Sequence, residues 1–177
     1  MVNNLHHRRS IRFPEYDYAS EGGYFITIVT HERANLFGEI IHGEMKLNAF
    51  GKIVTDEWFH TTQLRPNIEL FEDEFVVMPN HVHGIVWITD PVHGNAPVGT
   101  YRDTPLLRSP SNTVGAIVRG FKGSVTTRIN IQRHAQGVPV WQRNYYERII
   151  RDEQDYEAIA NYIYNNPLSW ETDDENR

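Results

Sequence analysis

Residues 75–88 read Phe-Val-Val-Met-Pro-Asn-His-Val-His-Gly-Ile-Val-Trp-Ile. The other predicted elements are placed relative to this stretch. Apolar runs rich in β-branched and aromatic residues lie on both sides of Pro79 and Asn80. Such runs, bounded by turn residues, are typical of strands. We therefore predict two strands, residues 70–78 and 81–89, that are separated by a short break and pair in antiparallel fashion.

The second of these strands carries two histidines, His81 and His83. Side chains alternate across a strand with period two, so both imidazoles point to the same face while Val82 points to the other. Two imidazoles on one face can share a divalent ion. The same pair also fits two surface or hydrogen-bonded histidines beside a turn, and the spacing alone leaves both interpretations open.

Five further elements surround this pair. A β-branched run predicts a first strand, apolar residues at helical spacing predict two helices, and a Pro after a capped periodic segment predicts the end of a third helix. Their predicted positions are a strand at 24–30, a helix at 47–62, a helix from Asn112 or Thr113 to about residue 129, a strand at 138–150, and a helix from Asp152 to residue 165 or 166. This order predicts an α+β protein with a ferredoxin-like (RRM-like) βαββαβ antiparallel sheet and an additional C-terminal helix.

Length and composition limit the possible classes of protein. The chain has 177 residues, about the size of one domain. It contains no cysteine, which excludes disulfides, thiolate metal sites and cysteine nucleophiles. No apolar run approaches the roughly 18–20 residues of a membrane span. We therefore expect a single cytoplasmic domain, residues 1–177, that does not enter a membrane.

Three segments stand apart from the predicted domain core. Residues 1–20 are a basic N-terminal arm, and residues 90–111, which have Pro and Gly but no periodicity, are expected to be a mobile loop. Residues 171–177 form an acidic tail, which we interpret as a solubilising segment, with capping of a site as the alternative. The acidic run at 72–74 indicates a solvated entry to a strand.

The charge is distributed unevenly along the chain. The net charge is −6 and the pI is about 5.8, which argues against binding nucleic acid through bulk charge. Residues 114–151 nevertheless contain seven Lys or Arg residues and a single acid, Glu147. This segment predicts a local basic surface that contacts phosphates.

The last predicted helix carries Tyr162 and Asn166, four residues apart and therefore on one helical face. Taken alone, a tyrosine at the margin of an apolar stripe is more often a packing residue than a nucleophile. Because Asn166 directly precedes Pro167, we expect its backbone to be pushed out of the helical region. Other tyrosines near the predicted site are Tyr145, Tyr146 and Tyr164.

Six ordered segments together resemble one protein family, the REP-associated tyrosine transposases, a branch of the single-tyrosine HUH transposases that is related to the simple insertion-sequence enzymes. The resemblance spans about residues 7–170 and leaves out the 90–111 loop and the acidic tail. The matching segments are His7-Arg-Arg-Ser-Ile-Arg12 before Tyr16-Asp-Tyr18, Gly23-Tyr-Phe-Ile-Thr27 with Leu36-Phe-Gly38, Met78-Pro-Asn-His-Val-His83, Val114-Gly-Ala-Ile-Val-Arg-Gly-Phe-Lys122, Tyr146-Glu-Arg-Ile-Ile-Arg151, and Tyr162-Ile-Tyr-Asn-Asn-Pro167.

The resemblance implies a metal-dependent endonuclease and strand transferase that acts on single-stranded DNA. Tyr162 would be the nucleophile and would form a 5′-phosphotyrosine intermediate. His81 and His83, with Asn166 as third ligand, would hold Mg²⁺ or Mn²⁺. The substrates implied are REP-type palindromic hairpins, and the implied state is a monomer rather than a dimer.

The candidate DNA contacts are cationic residues of the N-terminal arm and of the basic helix. Phosphate contacts of this kind make affinity dependent on salt. Two alternatives of other classes remain at this point: a non-catalytic binding module for single-stranded nucleic acid that uses an RRM-like sheet, and a metal-dependent phosphohydrolase in which the tyrosine only packs. The candidate residues are Arg8, Arg9, Arg12, Arg119, Lys122 and Arg128.

Overall fold

The strand that carries His81 and His83 lies in the interior of the main sheet. The structure is a computed structural model, and it describes residues 21–89 and 113–176. The predicted arm at 1–20, with Arg8, Arg9 and Arg12, and the predicted loop at 90–111 therefore lie outside the described residues. The strands are β1 (Gly22–Val29), β2 (Gly38–Ile41), β3 (Glu44–Leu47), β4 (Ile68–Glu69), β5 (Phe75–Val77), β6 (His81–Ile88) and β7 (Tyr146–Ile149), and the helices are α1 (Ala49–Leu64), α2 (Val114–Gln132) and α3 (Glu153–Asn165).

Antiparallel pairing connects the strands of the main sheet. β1 pairs with β7 on one side and with β6 on the other, and β4 and β5 both pair with the far edge of β6. With β4 and β5 counted as one interrupted strand, this is the order expected for a βαββαβ unit, and α3 is the additional C-terminal helix. The predicted α+β, ferredoxin-like fold is confirmed.

The two faces of the sheet are covered by different helices. On one face, the main core contains Ile26 of β1 and Val86 of β6 together with Trp58 of α1 and Phe121 of α2. On the other face, Phe25 and Ile85 pack against Ile159 and Ile163 of α3. Because His81 and His83 have the same parity as Ile85, they point to the α3 side.

Side-chain caps begin all three helices. The Asn48 side chain accepts hydrogen bonds from the backbone N–H groups of Phe50 and Gly51, at 2.8 and 3.0 Å, so α1 begins at Ala49. Thr113, one of the two predicted caps of α2, accepts from the Ala116 N–H at 3.2 Å. Asp152 caps α3 by accepting from the Asp155 N–H at 2.8 Å, as predicted.

Two predicted strands differ from the observed ones, and the structure contains a hairpin that the sequence did not predict. Within the strand predicted at 70–78, only β5 forms: the short 3₁₀ turn Glu72–Glu74 precedes it, and β4 ends at Glu69, before the predicted start. The strand predicted at 138–150 is regular only at 146–149, and upstream of β7 one isolated bridge joins Trp141 to Thr30. The hairpin of β2 and β3 was not predicted at all, and its turn residues His42 and Gly43 both have positive φ.

The backbone at Asn166 also differs from the prediction. Its φ and ψ are −58° and −42°, which is right-handed helical geometry despite the following Pro167. The chain then continues as a 3₁₀ turn, Pro167–Thr172, so Asn166 keeps the orientation of the α3 face. No helix in the described part of the chain is long and apolar enough to cross a membrane.

Candidate active site

His81 and His83 are buried side by side on the face of β6 that α3 covers. Their exposed fractions are 0% and 2%, and their ring centroids are 4.5 Å apart. In the sheet, His83 lies opposite Thr27 of β1 and His81 lies opposite Val29. The structure therefore brings the two predicted ligands together at one point below α3.

Hydrogen bonds at Nδ1 orient both imidazoles. His81 Nδ1 lies 2.7 Å from Oδ1 of Asn80, and the Asn80 amide nitrogen donates to the backbone carbonyls of Glu175 and Arg33, at 2.7 and 3.3 Å. Since that amide nitrogen is already donating, Oδ1 is the acceptor and His81 Nδ1 carries the proton. The Nε2 atom of His81 then keeps a free lone pair. It is buried and has no hydrogen-bond partner among the described residues.

A hydrogen bond with Thr27 orients the imidazole of His83. The Thr27 Oγ1 lies 2.8 Å from His83 Nδ1, across the β1–β6 pair. The Phe25 ring stacks on the His83 ring with 5.4 Å between the centroids. The imidazole of His83 is thus held in one plane, with Nε2 directed toward α3.

Tyr162 reaches this point from α3. Its hydroxyl lies 3.2 Å from His83 Nε2, and its ring packs edge-on against Phe25 with 6.0 Å between the centroids. The side chain is 46% exposed, so it lies at the mouth of the site, whereas Tyr164 is 76% exposed. Tyr146 of β7 is also on this side, 6.3 Å from Phe25 between ring centroids. Of these tyrosines, Tyr162 is the one whose hydroxyl contacts a histidine.

Asn166 and Asp173 complete the cluster. Asn166 is buried, and its amide nitrogen donates to Asp173 Oδ2 at 2.8 Å. Its amide oxygen is a buried acceptor with no hydrogen-bond donor in the described ranges. The ligand atoms of His81, His83 and Asp173 lie within 4.8 Å of one another.

Asp173 belongs to the acidic tail, which packs against the site. The Glu175 N–H donates to Asp173 Oδ1 at 2.6 Å, and the Glu175 carboxylate pairs with Arg33 at 2.6 Å. With the Asn80 contact to the Glu175 carbonyl, these bonds fold the tail back over the histidines. No site role was predicted for Asp173, because neither strand nor helix periodicity extends beyond Pro167.

Burial controls the protonation of the site. Desolvation lowers the pKa of His81 to about 4, although the nearby Asp173 carboxylate opposes this. Desolvation, together with the neighbouring His81, lowers the pKa of His83 well below its ordinary value. Burial first, and then Asp173, raises the pKa of Tyr162 to about 12. At neutral pH the site therefore contains two neutral imidazoles and a protonated phenol.

The three predicted DNA contacts on α2 lie in the helical layer on the other face of the sheet. Arg119 is exposed. Lys122 donates to the backbone carbonyl of Gln142 at 2.6 Å, and Arg128 pairs with Glu57 at 2.8 Å and with Asp56 at 3.2 Å. The structure does not bring these cations to the tyrosine, and their contact with DNA stays a prediction.

A protein of Haemophilus influenzae described as uncharacterized is 46% identical to this chain over 171 residues, covering 96% of this chain and 93% of that protein. A solved structure of a REP-associated tyrosine transposase bound to a REP hairpin aligns with a TM-score of 0.59 at 21% identity, covering 90% of this chain and 73% of the other. No protein-family model matches the chain. The chain therefore belongs to the family of the Haemophilus influenzae protein and has the fold of a REP-associated tyrosine transposase.

Proposed function

We propose that this protein is a metal-dependent endonuclease and strand transferase that acts on single-stranded DNA with Tyr162 as its nucleophile. The observation that carries the proposal is the 3.2 Å approach of the Tyr162 hydroxyl to Nε2 of His83, beside a second buried histidine. A tyrosine that only packed would not need its hydroxyl aimed at Nε2 of an oriented imidazole. The fold similarity to a REP-associated tyrosine transposase supports the same proposal.

The donor atoms present fit a divalent cation. His81 and His83 would bind through Nε2, Asp173 through its carboxylate and Asn166 through its amide oxygen. Two of these atoms, His81 Nε2 and Asn166 Oδ1, are buried and have no hydrogen-bond partner among the described residues. A bound cation would supply the missing partner to both. Imidazole favours transition metals whereas carboxylate and amide oxygens favour Mg²⁺ and Mn²⁺, so the mixed set favours Mn²⁺. When bound, the ion would withdraw charge from the scissile phosphate and stabilise the transition state.

Tyr162 would carry out the covalent step. Its Oη attacks the phosphorus of a phosphodiester, the P–O3′ bond breaks, and the phenol proton passes in net terms to the departing 3′ oxygen. The products are a 5′-phosphotyrosine and a free 3′-OH, and neither water nor ATP is consumed. A tyrosine whose pKa is about 12 does not ionise spontaneously at pH 7. The attack would therefore depend on the positive charge of the bound divalent cation. Reversal of the step on another 3′-OH would join strands.

We propose a REP-type palindromic hairpin as the substrate and a monomer as the active form. The solved transposase of this fold is bound to a REP hairpin. In this chain α3 lies on the sheet of its own polypeptide, and this arrangement supports a monomer in which one copy supplies both Tyr162 and the histidines. If the monomer is the active form, the rate of adduct formation should be first order in protein concentration.

Cations on both sides of the sheet would hold the DNA backbone. Arg8, Arg9 and Arg12 of the arm are proposed contacts, as are Arg119, Lys122 and Arg128 of α2. On the tyrosine side, Arg148 lies opposite Phe25 in the β1–β7 register, where it pairs with Asp155 of α3. Removing one side chain that binds a phosphate would reduce the slope of log affinity against log salt by about 0.7 for single-stranded DNA.

A denaturing-gel assay with a labelled hairpin oligonucleotide tests this function. The oligonucleotide comes from a palindrome beside the gene, and Mn²⁺ or Mg²⁺ is added. We expect a metal-dependent covalent adduct that disappears in Tyr162→Phe and His81→Ala and persists in Tyr164→Phe, the matched control two residues away. Cleavage without an adduct would favour a phosphohydrolase, and binding without cleavage would favour a binding module. Either result would contradict the proposal.

A further inference from the structure

A buried carboxylate lies outside the candidate site, at the N-terminal end of the tyrosine helix. Glu74 is only 4% exposed, although it belongs to the acidic run that the sequence indicates as a solvated strand entry. The 3₁₀ turn before β5 rotates Glu74 inward while Glu72 and Asp73 remain exposed. A carboxylate is rarely buried to this extent unless it is paired or hydrogen-bonded, so its partners indicate its role.

Each carboxylate oxygen of Glu74 binds a different element. Oε2 accepts from the indole N–H of Trp87 on β6 at 2.6 Å, and Oε1 accepts from the hydroxyl of Tyr156 on α3 at 2.8 Å. The Trp87 and Tyr156 rings also contact each other, with 5.9 Å between centroids. One side chain thus joins the strand that carries the histidines to the helix that carries Tyr162.

The other polar contacts between α3 and the sheet are the ion pair of Asp155 with the half-exposed Arg148 side chain of β7 and the Tyr162–His83 contact itself, and the buried contacts of α3 are apolar. Of its thirteen residues only Ile159 and Ile163 are buried, and both pack on Phe25 and Ile85. Apolar contacts hold a helix against a surface but are not directional, whereas hydrogen bonds to an ionised acceptor are strong and specific in geometry. Tyr156 is six residues before Tyr162, about 9 Å along the helix axis. A small rotation of α3 at Tyr156 would therefore move the Tyr162 hydroxyl.

We propose that Glu74 is a positioning residue, which fixes the rotation of α3 on the sheet and so places the Tyr162 hydroxyl against His83. The proposal rests on the proposed function for its catalytic consequence, but the attachment of α3 is a property of the free protein. Hydrogen bonding to Glu74 also raises the pKa of Tyr156 to about 12.

Four variants of the full chain separate this role from a general effect on stability. Glu74→Leu removes both hydrogen bonds, and Tyr156→Phe removes only the one to α3. Glu74→Gln keeps the side-chain volume, and its amide can accept from Trp87 while donating to the Tyr156 oxygen. Asp73→Asn is the matched control, because it neutralises the exposed neighbour in the same turn.

Hydrogen exchange of the backbone amides, measured without DNA or metal, tests the attachment. In Glu74→Leu and Tyr156→Phe we expect protection in α3 to fall by about ten- to hundredfold, the loss expected for a hydrogen bond to a charged group, while β1 and β6 stay protected. Glu74→Gln should retain most of the protection, and Asp73→Asn all of it. Unchanged protection of α3 in Glu74→Leu would overturn the proposal, as would an equal loss across the whole sheet.

The rate of adduct formation at saturating hairpin DNA tests the catalytic consequence. We expect the rate to fall at least tenfold in Glu74→Leu and Tyr156→Phe, with the half-saturating DNA concentration unchanged, because α3 is displaced but the DNA contacts are not. The double variant should be no slower than Glu74→Leu, since the hydrogen bond that Tyr156→Phe removes is already absent in Glu74→Leu. A loosened α3 with a normal rate would refute the positioning role. If the wild-type protein forms no adduct, the proposed function fails, and hydrogen exchange alone decides for or against the attachment.

Discussion

The burial of His81 predicts a specific loss of stability in acid when metal is absent. The unfolded chain binds a proton on this imidazole near its ordinary pKa of 6.5, whereas burial lowers the pKa to about 4 in the folded protein. Between these values the unfolded state binds more protons than the folded state. The free energy of unfolding must therefore fall as the pH is lowered from 6.5 toward 4, and it stays constant with respect to this group below that range.

The size of the stability loss follows from the difference between the pKa of His81 in the unfolded chain and in the folded protein. Each pH unit between the two pKa values contributes up to about 1.4 kcal/mol, so His81 alone removes about 3 kcal/mol of unfolding free energy. The lowered pKa of His83 also reduces the free energy of unfolding in acid, so it steepens the dependence of that free energy on pH. This loss is a large fraction of the roughly 5–15 kcal/mol by which domains are stable.

Urea unfolding between pH 7 and pH 4 in the presence of EDTA measures the slope. His81→Phe keeps an aromatic ring, and although it loses the Asn80 hydrogen bond at every pH, it should reduce the slope by up to about 1.4 kcal/mol per pH unit. His60→Gln removes an exposed histidine of α1 and serves as the control. Equal slopes for wild type and His81→Phe, or stability that rises as the pH falls, would refute the reasoning.

Three further predictions test the site, the core and the DNA contacts. Thr27→Val removes the partner of His83 Nδ1 and should weaken Mn²⁺ binding by about 10- to 100-fold in calorimetric titration, with the fold unchanged by circular dichroism. Gly84→Ala places a Cβ 2.5 Å from the buried indole ring packed beneath it, and should cost about 1–3 kcal/mol in urea unfolding. Arg119→Ala should reduce the salt dependence of hairpin binding more than Arg128→Ala, because Arg128 is already paired with two carboxylates. Equal effects of the two arginine variants would assign both side chains the same role.

Local periodicity was sufficient to predict which candidate residues share a face, whereas their roles in a site were implied only by the family resemblance. Period two places His81 and His83 on one face of β6, and an i, i+4 relation places Tyr162 and Asn166 on one face of α3. Because strand and helix each impose a fixed repeat, these orientations can be predicted before the fold is known. The sheet order then brings the two faces together.

Other parts of the structure depend on contacts between distant segments, which a single sequence does not encode locally. Asp173 reaches the histidines only because Glu175 is held by Asn80 and Arg33, far away in the chain. Glu74 cannot be distinguished from its two acidic neighbours by composition, and the 3₁₀ turn decides which of the three is buried. The β2–β3 hairpin was missed because its turn uses His-Gly rather than the more familiar Asn-Gly or Asp-Gly.

The most direct test of the central claim identifies the tyrosine that becomes covalently linked to DNA. After reaction with a hairpin oligonucleotide and Mn²⁺, the protein is digested with trypsin, and the nucleotide-bearing peptide is sequenced by mass spectrometry. Cleavage after Arg151 releases residues 152–177, which contain Tyr156, Tyr162 and Tyr164. Fragmentation should locate a 5′-phosphate linkage on Tyr162, together with a released strand that ends in a free 3′-OH. A linkage on any other tyrosine, or strand cleavage that leaves no nucleotide on the protein, would contradict the account.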